Sequence, residues 1–216
     1  MVDITVEPGT PYQIGTSLIS KISVARINFL QYAECFQDRL KASARGLDES
    51  AAEKEFMRSR RIKQCTAFDR SGNPVKMDQV AFAMMPRKLF VKIHNALDDF
   101  GTERGSVIGE GDGINSPIIY KLGTPFEFTD TKSEQKPIGT EQKIIELEFI
   151  AKIGGDIEDV LCHSNGLDQT VALLKTCATP LGGETGLMRL PSWMLESLTV
   201  ADGFSIMSSV LPVFTE

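Results

Sequence analysis

The sequence has little of what several large classes of protein require. Its 216 residues include only four cysteines and two histidines, too few and too scattered for a disulfide scaffold or a zinc site. No apolar run approaches the roughly 18 residues that span a bilayer, and the first residues lack the basic and then apolar layout of a signal peptide. We therefore expect a chain that needs no metal or other cofactor, enters no membrane and stays in a reducing cytosol.

Positive charge is also in short supply. The net charge of −6 disfavours a dedicated nucleic-acid binder, because such proteins are usually basic. Residues 1–108 carry 16 Lys and Arg against 13 Asp and Glu, whereas residues 109–216 carry 7 against 16. These net charges of +3 and −9 suggest two separate units. Either the opposite signs attract one unit to its neighbour or to another copy of the chain, or two exposed faces simply differ in composition.

What the sequence does contain is an internal repeat. Four short segments of the first half match four of the second half in the same order: 12–16 (YQIGT) with 120–124 (YKLGT), 21–27 with 143–149, 63–67 (KQCTA) with 175–179 (KTCAT), and 85–89 with 190–194. The spacing requires an insertion near residues 129–142, where a polar, turn-rich stretch predicts a long hairpin tip. Turn chemistry shared by chance is the alternative explanation of these matches.

The fold prediction is an α+β protein of two tandem homologous small domains. Each domain is expected to be a β-hairpin or small antiparallel sheet followed by about three helices, because alternating strand-like runs precede stretches of helical period. The predicted boundaries are residues 1–104 for the first domain and 117–216 for the second. Five glycines in 101–113 predict a flexible linker at 105–116.

The repeat also predicts where the helices lie. The second helix is expected over residues 60–68 in the first domain and 167–178 in the second, where it carries Cys65 or Cys177 as a buried small side chain. The third is expected to open at Pro86 or Pro191, since the first turn of a helix tolerates a missing N–H. In the second domain that helix is predicted to break near 199–203, with Asp202 as an N-cap of the part that follows.

Candidate catalytic and metal-binding groups are sparse. Asp156 and Asp159 lie three residues apart, so either they hold a divalent cation or they are acids at the positive end of a helix dipole. Cys162 and His163 are adjacent, and adjacent helical residues point apart, which disfavours a nucleophile pair. We therefore predict that the chain is not an enzyme and works by binding other molecules.

Two groups of side chains are candidates for that binding. The first is apolar and lies in the C-terminal half, where it forms either an adaptable groove or core packing: Trp193, Met194, Leu198, Phe204 and Met207. The second is the densest basic run of the chain, which either contacts phosphates or an acidic partner or is a solvated helix face: Arg58, Arg60, Arg61 and Lys63.

The second half resembles the tail assembly proteins, or tail assembly chaperones, of Mu-like tailed phages. The resemblance rests on a hairpin leading to 144–149 (IIELEF), on a Gly155-Asp156 pair that opens a helix, on Leu190-Pro191, and on the apolar spacing of residues 195–214. It covers roughly residues 117–214, and residues 12–100 are included only through the repeat.

The resemblance implies a non-catalytic role in phage tail morphogenesis. Members of this family are thought to hold the tape measure protein soluble and to help tail tube subunits polymerise around it. The expected partners are then tape measure, tail tube or baseplate proteins, with another copy of the chain as a further candidate, in the host cytoplasm. The alternative is a structural virion component that stays in the baseplate or tail tip.

Overall fold

The computed structural model describes residues 1–7, 9, 11–97, 103–128, 142–181 and 189–215. Helices and two antiparallel sheets form this part of the chain, so the α+β prediction is confirmed. The chain divides into two compact units. Unit 1 contains Met1–Ile27 and Glu34–Phe100, and unit 2 contains Asn28–Ala33 and Gly101–Glu216. The predicted hairpin tip within 129–142 lies almost entirely outside the described residues.

Unit 1 is built on one antiparallel sheet with helices packed against it. The strands are β1 (Val2–Thr5), β2 (Tyr12–Ile14), β3 (Ser17–Val24), β4 (Cys65–Asp69) and β5 (Pro74–Val75). The helices are α1 (Phe29–Ala44, of which residues 29–33 belong to unit 2), α2 (Glu49–Gln64), α3 (Gln79–Ala83) and α4 (Arg87–Ala96). β3 lies at the centre: β1 and β2 pair with one edge and β4 with the other, and β5 follows β4.

The core of unit 1 follows from strand and helix periodicity. Ile22 and Val24 alternate inward along β3 and belong to the same hydrophobic core as Leu89 and Ile93, which are one helical turn apart on α4. Asp48 begins α2 by accepting a hydrogen bond from the N–H of Ala51 at 2.8 Å. A side-chain acceptor of this kind satisfies one of the free N–H groups of the first turn.

Unit 2 has a four-stranded sheet in the order β6-β7-β8-β9, all antiparallel. Its strands are β6 (Ser106–Ile108), β7 (Ile118–Phe128), β8 (Gln142–Phe149) and β9 (Ala178–Leu181). Its helices are α5 (Gly154–Leu161), α6 (Gly166–Thr176), α7 (Ser192–Ser197), α8 (Val200–Ser209) and α9 (Leu211–Thr215). None of the helices within the described ranges combines the length and the apolar character that crossing a bilayer requires.

The glycine-rich segment 105–116 differs from the predicted linker. Its residues 106–108 are β6, which pairs with β7 and belongs to unit 2. A Cβ atom on Gly105 would lie 2.1 Å from the carbonyl oxygen of Lys121, and one on Gly111 would lie 2.1 Å from that of Pro117. These glycines therefore allow close contact between backbones, a role that composition does not distinguish from flexibility.

The predicted second helices end earlier than expected. α2 ends at Gln64, and Cys65 is the first residue of β4; Cys177 caps α6, and β9 starts at the next residue. Each unit thus returns to its sheet after two helices, instead of continuing into a third. The run Cys65–Asp69 alternates buried Cys65 and Ala67 with exposed Thr66, but five residues are too few for periodicity to separate strand from helix. The helices after these strands, α4 and α7, do begin directly after Pro86 and Pro191.

The two units share an order of elements: a strand that pairs with the next one, two helices, a strand on the other edge, and further helices. However, the residues that the sequence match of 21–27 with 143–149 aligns do not occupy equivalent positions in the two sheets. Val24 pairs with Cys65 at the start of β4, whereas Glu146, its counterpart in the match, pairs with Leu181 at the end of β9. Val24 is buried, whereas Glu146 is half-buried. The duplication therefore stays a prediction.

Asp202 has a different place from the one predicted. α8 is continuous through Gly203, and its N-cap is Thr199, whose Oγ1 accepts a hydrogen bond from the N–H of Asp202 at 3.0 Å. Asp202 is the third residue of the helix, and its own carboxyl group returns to Thr199 at 3.0 Å. This pairing resembles a capping box, except that the carboxylate accepts from the Thr199 hydroxyl and not from its backbone N–H.

Candidate protein-binding groove

The apolar set predicted from the C-terminal half is core instead of groove. Trp193 is only 4% exposed, and Met194 and Leu198 are also buried. The Trp193 ring meets the ring of Phe126 of β7 edge to face, with 6.4 Å between centroids. Phe204 and Met207 of α8 are half-buried, so they do not form a free surface either. A tryptophan beside methionines has the same sequence pattern in a core as on a binding face.

Phe204 owes its burial to the start of α1. Its ring lies 5.3 Å from that of Tyr32 and 6.2 Å from that of Phe29, in both cases edge to face. Residues 28–33 belong to unit 2, where Asn28 forms a bridge with Thr199. A segment more than 160 residues away along the chain thus covers this part of α8. The sequence around Phe204 does not indicate that this distant segment packs on it.

The basic run divides between the inside and the outside of unit 1. Arg60 is buried: its Nη2 donates to the carbonyl oxygen of Leu97, and its Nε donates to Gln64 at 3.3 Å. Its guanidinium also lies over the Phe56 ring, 5.7 Å from the centroid. Arg60 therefore joins α2 to the end of α4 and is not available to a partner. Lys63 is exposed and forms an ion pair with Glu34.

Arg58 and Arg61 line a groove of about 400 Å³ in unit 1. We call it the α2–α3 groove, because most of its lining comes from the end of α2 and from α3. Its polar lining is Arg58, Arg61 and Gln79, and its apolar lining is Ile62, Val80, Phe82, Ala83, Met84 and Phe90. The groove thus joins part of the predicted basic run to an apolar surface that the sequence did not single out.

The apolar surface arises from the sequence of α3. Asp78 starts this helix by accepting from the N–H of Ala81 at 2.8 Å, and Ala81 and Phe82 then face the core. The run 80–85 (VAFAMM) is apolar on every face, so burying one face leaves the other in solvent. Val80 and Met84, four residues apart on that outer face, are 68% and 73% exposed.

Two arginines give the groove its positive charge. Arg58 is exposed and forms an ion pair with Glu55 at 2.6 Å. Arg61 packs over the Phe90 ring at 4.9 Å and donates through Nε to the carbonyl oxygen of Met57 at 3.1 Å. Burial, and then the neighbouring charge of Arg58, lower the pKa of Arg61. A carboxylate arriving beside the two guanidinium groups would relieve that repulsion.

Asp156, the first of the two acids considered on α5, has a structural role, and Asp159 is exposed. Asp156 is buried, and its Oδ2 accepts hydrogen bonds from the N–H groups of Lys152 at 2.9 Å and Ile153 at 3.1 Å. It therefore satisfies the start of α5, the helix-terminus alternative considered from the sequence. Within the described residues, no three His, Cys, Asp or Glu side chains come together in a way that would hold a metal ion.

The four cysteines are expected to differ sharply in reactivity. Cys162 is exposed, with its Sγ 3.1 Å from the carbonyl oxygen of Asp159. The other three are buried, and burial raises the pKa of Cys35 and Cys177 and raises that of Cys65 to about 12.

The number of reactive thiols follows from these differences, because the thiolate is the nucleophile. A chromogenic disulfide reagent at pH 8 should label one thiol rapidly in the native protein and all four after denaturation. Cys162→Ser should abolish the rapid phase; two or more rapid equivalents would contradict these assignments.

No model of a protein family, no curated protein sequence and no solved structure matches this chain.

Proposed function

We propose that this chain is a non-enzymatic protein of phage tail morphogenesis that binds tape measure or tail tube proteins in the host cytoplasm during tail assembly. The tail-specific part of the proposal rests on the resemblance of residues 117–214. The observation that supports binding is the α2–α3 groove, where Val80 and Met84 stand in solvent beside Arg58. Exposed apolar side chains grouped beside polar ones are typical of protein interaction sites.

The groove has the chemistry to receive an amphipathic helix. Helix-in-groove recognition places apolar side chains, spaced by three and four residues, into an apolar channel. Val80 and Met84 provide apolar contact, and Met84 has the flexible, polarizable side chain that adapts to different partners. A tape measure protein is a long helical chain with apolar stripes and no core of its own, so it offers many such helices.

The direct test introduces charge into the groove. The tape measure protein from the same genome is co-expressed with this chain. Val80→Asp/Met84→Asp should then reduce the soluble tape measure fraction at least about fivefold, because desolvating two carboxylates under the apolar stripe of a docked helix costs more than about 1 kcal/mol even beside the arginines. Both side chains are exposed, so the variant should remain folded. Val91→Asp is the matched control, since Val91 is an exposed apolar residue of α4 that does not line the groove.

Equal soluble fractions for the groove variant and the control would refute this use of the groove. Mass spectrometry of purified particles separates the assembly role from the structural one. A protein that acts only during assembly should be absent from mature virions. Stoichiometric presence would support the baseplate or tail-tip component instead.

A further inference from the structure

Helix α5 of unit 2 presents an apolar stripe to solvent. Ile153 at its N-cap, Ile157 and Leu161 follow each other at intervals of four residues, which places them along one side of the helix. Ile153 is 66% and Leu161 51% exposed, and Ile157 is half-buried. Asp156 and Val160 are buried. The helix therefore packs one face against its own unit and leaves an adjoining apolar face uncovered.

An acidic side chain borders this stripe. Glu158 is exposed and stands three residues before Leu161, so it lies beside the stripe on the side away from the buried face. The surrounding half of the chain carries a net charge of −9. α5 is thus a short amphipathic helix with an exposed apolar line and a carboxylate next to it.

The α2–α3 groove is the chemical complement of that helix. Val80 and Met84 offer an exposed apolar surface, and Arg58 stands beside it in a half of the chain with net charge +3. Arg58 forms an ion pair with Glu55 three residues earlier, but a surface pair of this spacing contributes little to stability, so a second carboxylate can share the guanidinium.

We propose that α5 of one copy of this chain docks in the α2–α3 groove of a second copy, with its apolar stripe on Val80 and Met84 and Glu158 beside Arg58. This inference rests on the proposed function, because it assigns an occupant to the same groove. Charge complementarity favours a second copy: each chain carries both the basic groove and the acidic helix, so two copies can offer each other both surfaces. A helix of this length buries little area, so the association is weak and concentration-dependent.

The experiment is sedimentation velocity of the full chain over loading concentrations from about 5 to about 500 µM, the range where small interfaces associate. The wild type should shift from monomer to dimer or larger species as concentration rises, and less so at high salt. Arg58→Glu and Glu158→Lys should each weaken association at least about tenfold, the effect of about 1.4 kcal/mol. Arg70→Glu, just after β4, and Glu196→Lys on α7 are matched controls that reverse an exposed charge outside the contact and should leave association unchanged, since Arg70 does not line the groove.

A mixture of the two weakened variants is the decisive arm. Arg58→Glu and Glu158→Lys together place a lysine beside a glutamate in one contact and keep the original pair in the other, so the equimolar mixture should associate nearly as strongly as the wild type. A wild type that stays monomeric at every concentration would overturn the proposal. So would a mixture as weak as its components, or controls as weak as the two variants.

Failure here and failure of the proposed function give different results. If the chain stays monomeric but Val80→Asp/Met84→Asp still loses tape measure solubility, self-association is refuted and the groove remains a partner site. If self-association follows the predicted charge pattern but tape measure solubility is unaffected by the groove variant, the proposed function fails and the self-contact stands.

Discussion

Asp202→Ala is expected to lower the free energy of unfolding of unit 2 by about 4 kcal/mol, because several buried donors lose their acceptor together. Oδ1 of Asp202 accepts from the N–H of Gly105 at 2.8 Å, from the N–H of Gly123 at 2.9 Å and from the hydroxyl of Tyr120 at 3.1 Å. Oδ2 accepts from Thr199 at 3.0 Å. The side chain is fully buried and joins α8 to the segments around β6 and β7.

Trp193 provides the measurement for this prediction. It is the only tryptophan of the chain and is buried in unit 2, so its fluorescence reports the unfolding of that unit in urea or on heating. The midpoint for Asp202→Ala should fall by at least about 10 °C. The midpoint of Asp202→Asn should lie between those of the wild type and Asp202→Ala. The amide oxygen of asparagine can still accept hydrogen bonds, but its NH₂ group cannot.

Glu196→Ala is the matched control for Asp202→Ala. Glu196 is an exposed acid of α7 in the same unit, and its removal should change stability by no more than about 0.5 kcal/mol. A loss below about 1 kcal/mol for Asp202→Ala would show that water or a shifted backbone takes over the donors. The network would then not be what holds β6 in place.

Gly203→Ala is expected to cost unit 2 about 3 kcal/mol, although alanine is the better helix former. A Cβ atom on Gly203 would lie 2.0 Å from a ring carbon of Phe29, a distance that forces the ring or the helix to move. The gain of about 1 kcal/mol in helix propensity is smaller than the cost of overpacking a buried ring. Urea unfolding followed by Trp193 fluorescence measures the difference.

Two further variants separate overpacking from other effects of the methyl group. Gly154→Ala, at the first turn of α5, has no heavy atom within 4 Å of the added Cβ and should be neutral or slightly stabilising. Phe29→Leu removes the ring, so Gly203→Ala should cost at least about 1 kcal/mol less in that background. Additive losses in the double variant would disprove the proposed contact.

The sequence predicted best where local chemistry decides. The α+β class followed from alternating and helical periods, and the starts of α4 and α7 followed from Pro86 and Pro191. The interpretation of Asp156 as an acid at a helix N-terminus also agrees with its hydrogen bonds to backbone N–H groups. Each of these depends on interactions within a few residues, which a local pattern contains.

Other predictions failed because packing partners come from distant segments. Trp193 and Met194 had the composition of a binding face, but they pack inside unit 2. Gly105 had the composition of a linker, but it lies against the backbone of Lys121. Arg60 and Arg58 belong to one basic run, and their different fates follow from the position of α4.

The sequence by itself determined the class of the fold, the local helix signals and the charge asymmetry of the two halves, because propensity, periodicity and charge are properties of the chain. Only the tertiary structure decided which apolar residues are exposed. Exposure depends on what covers each face: unit 2 covers Trp193, whereas α3 uses one apolar face for the core and leaves Val80 and Met84 in solvent.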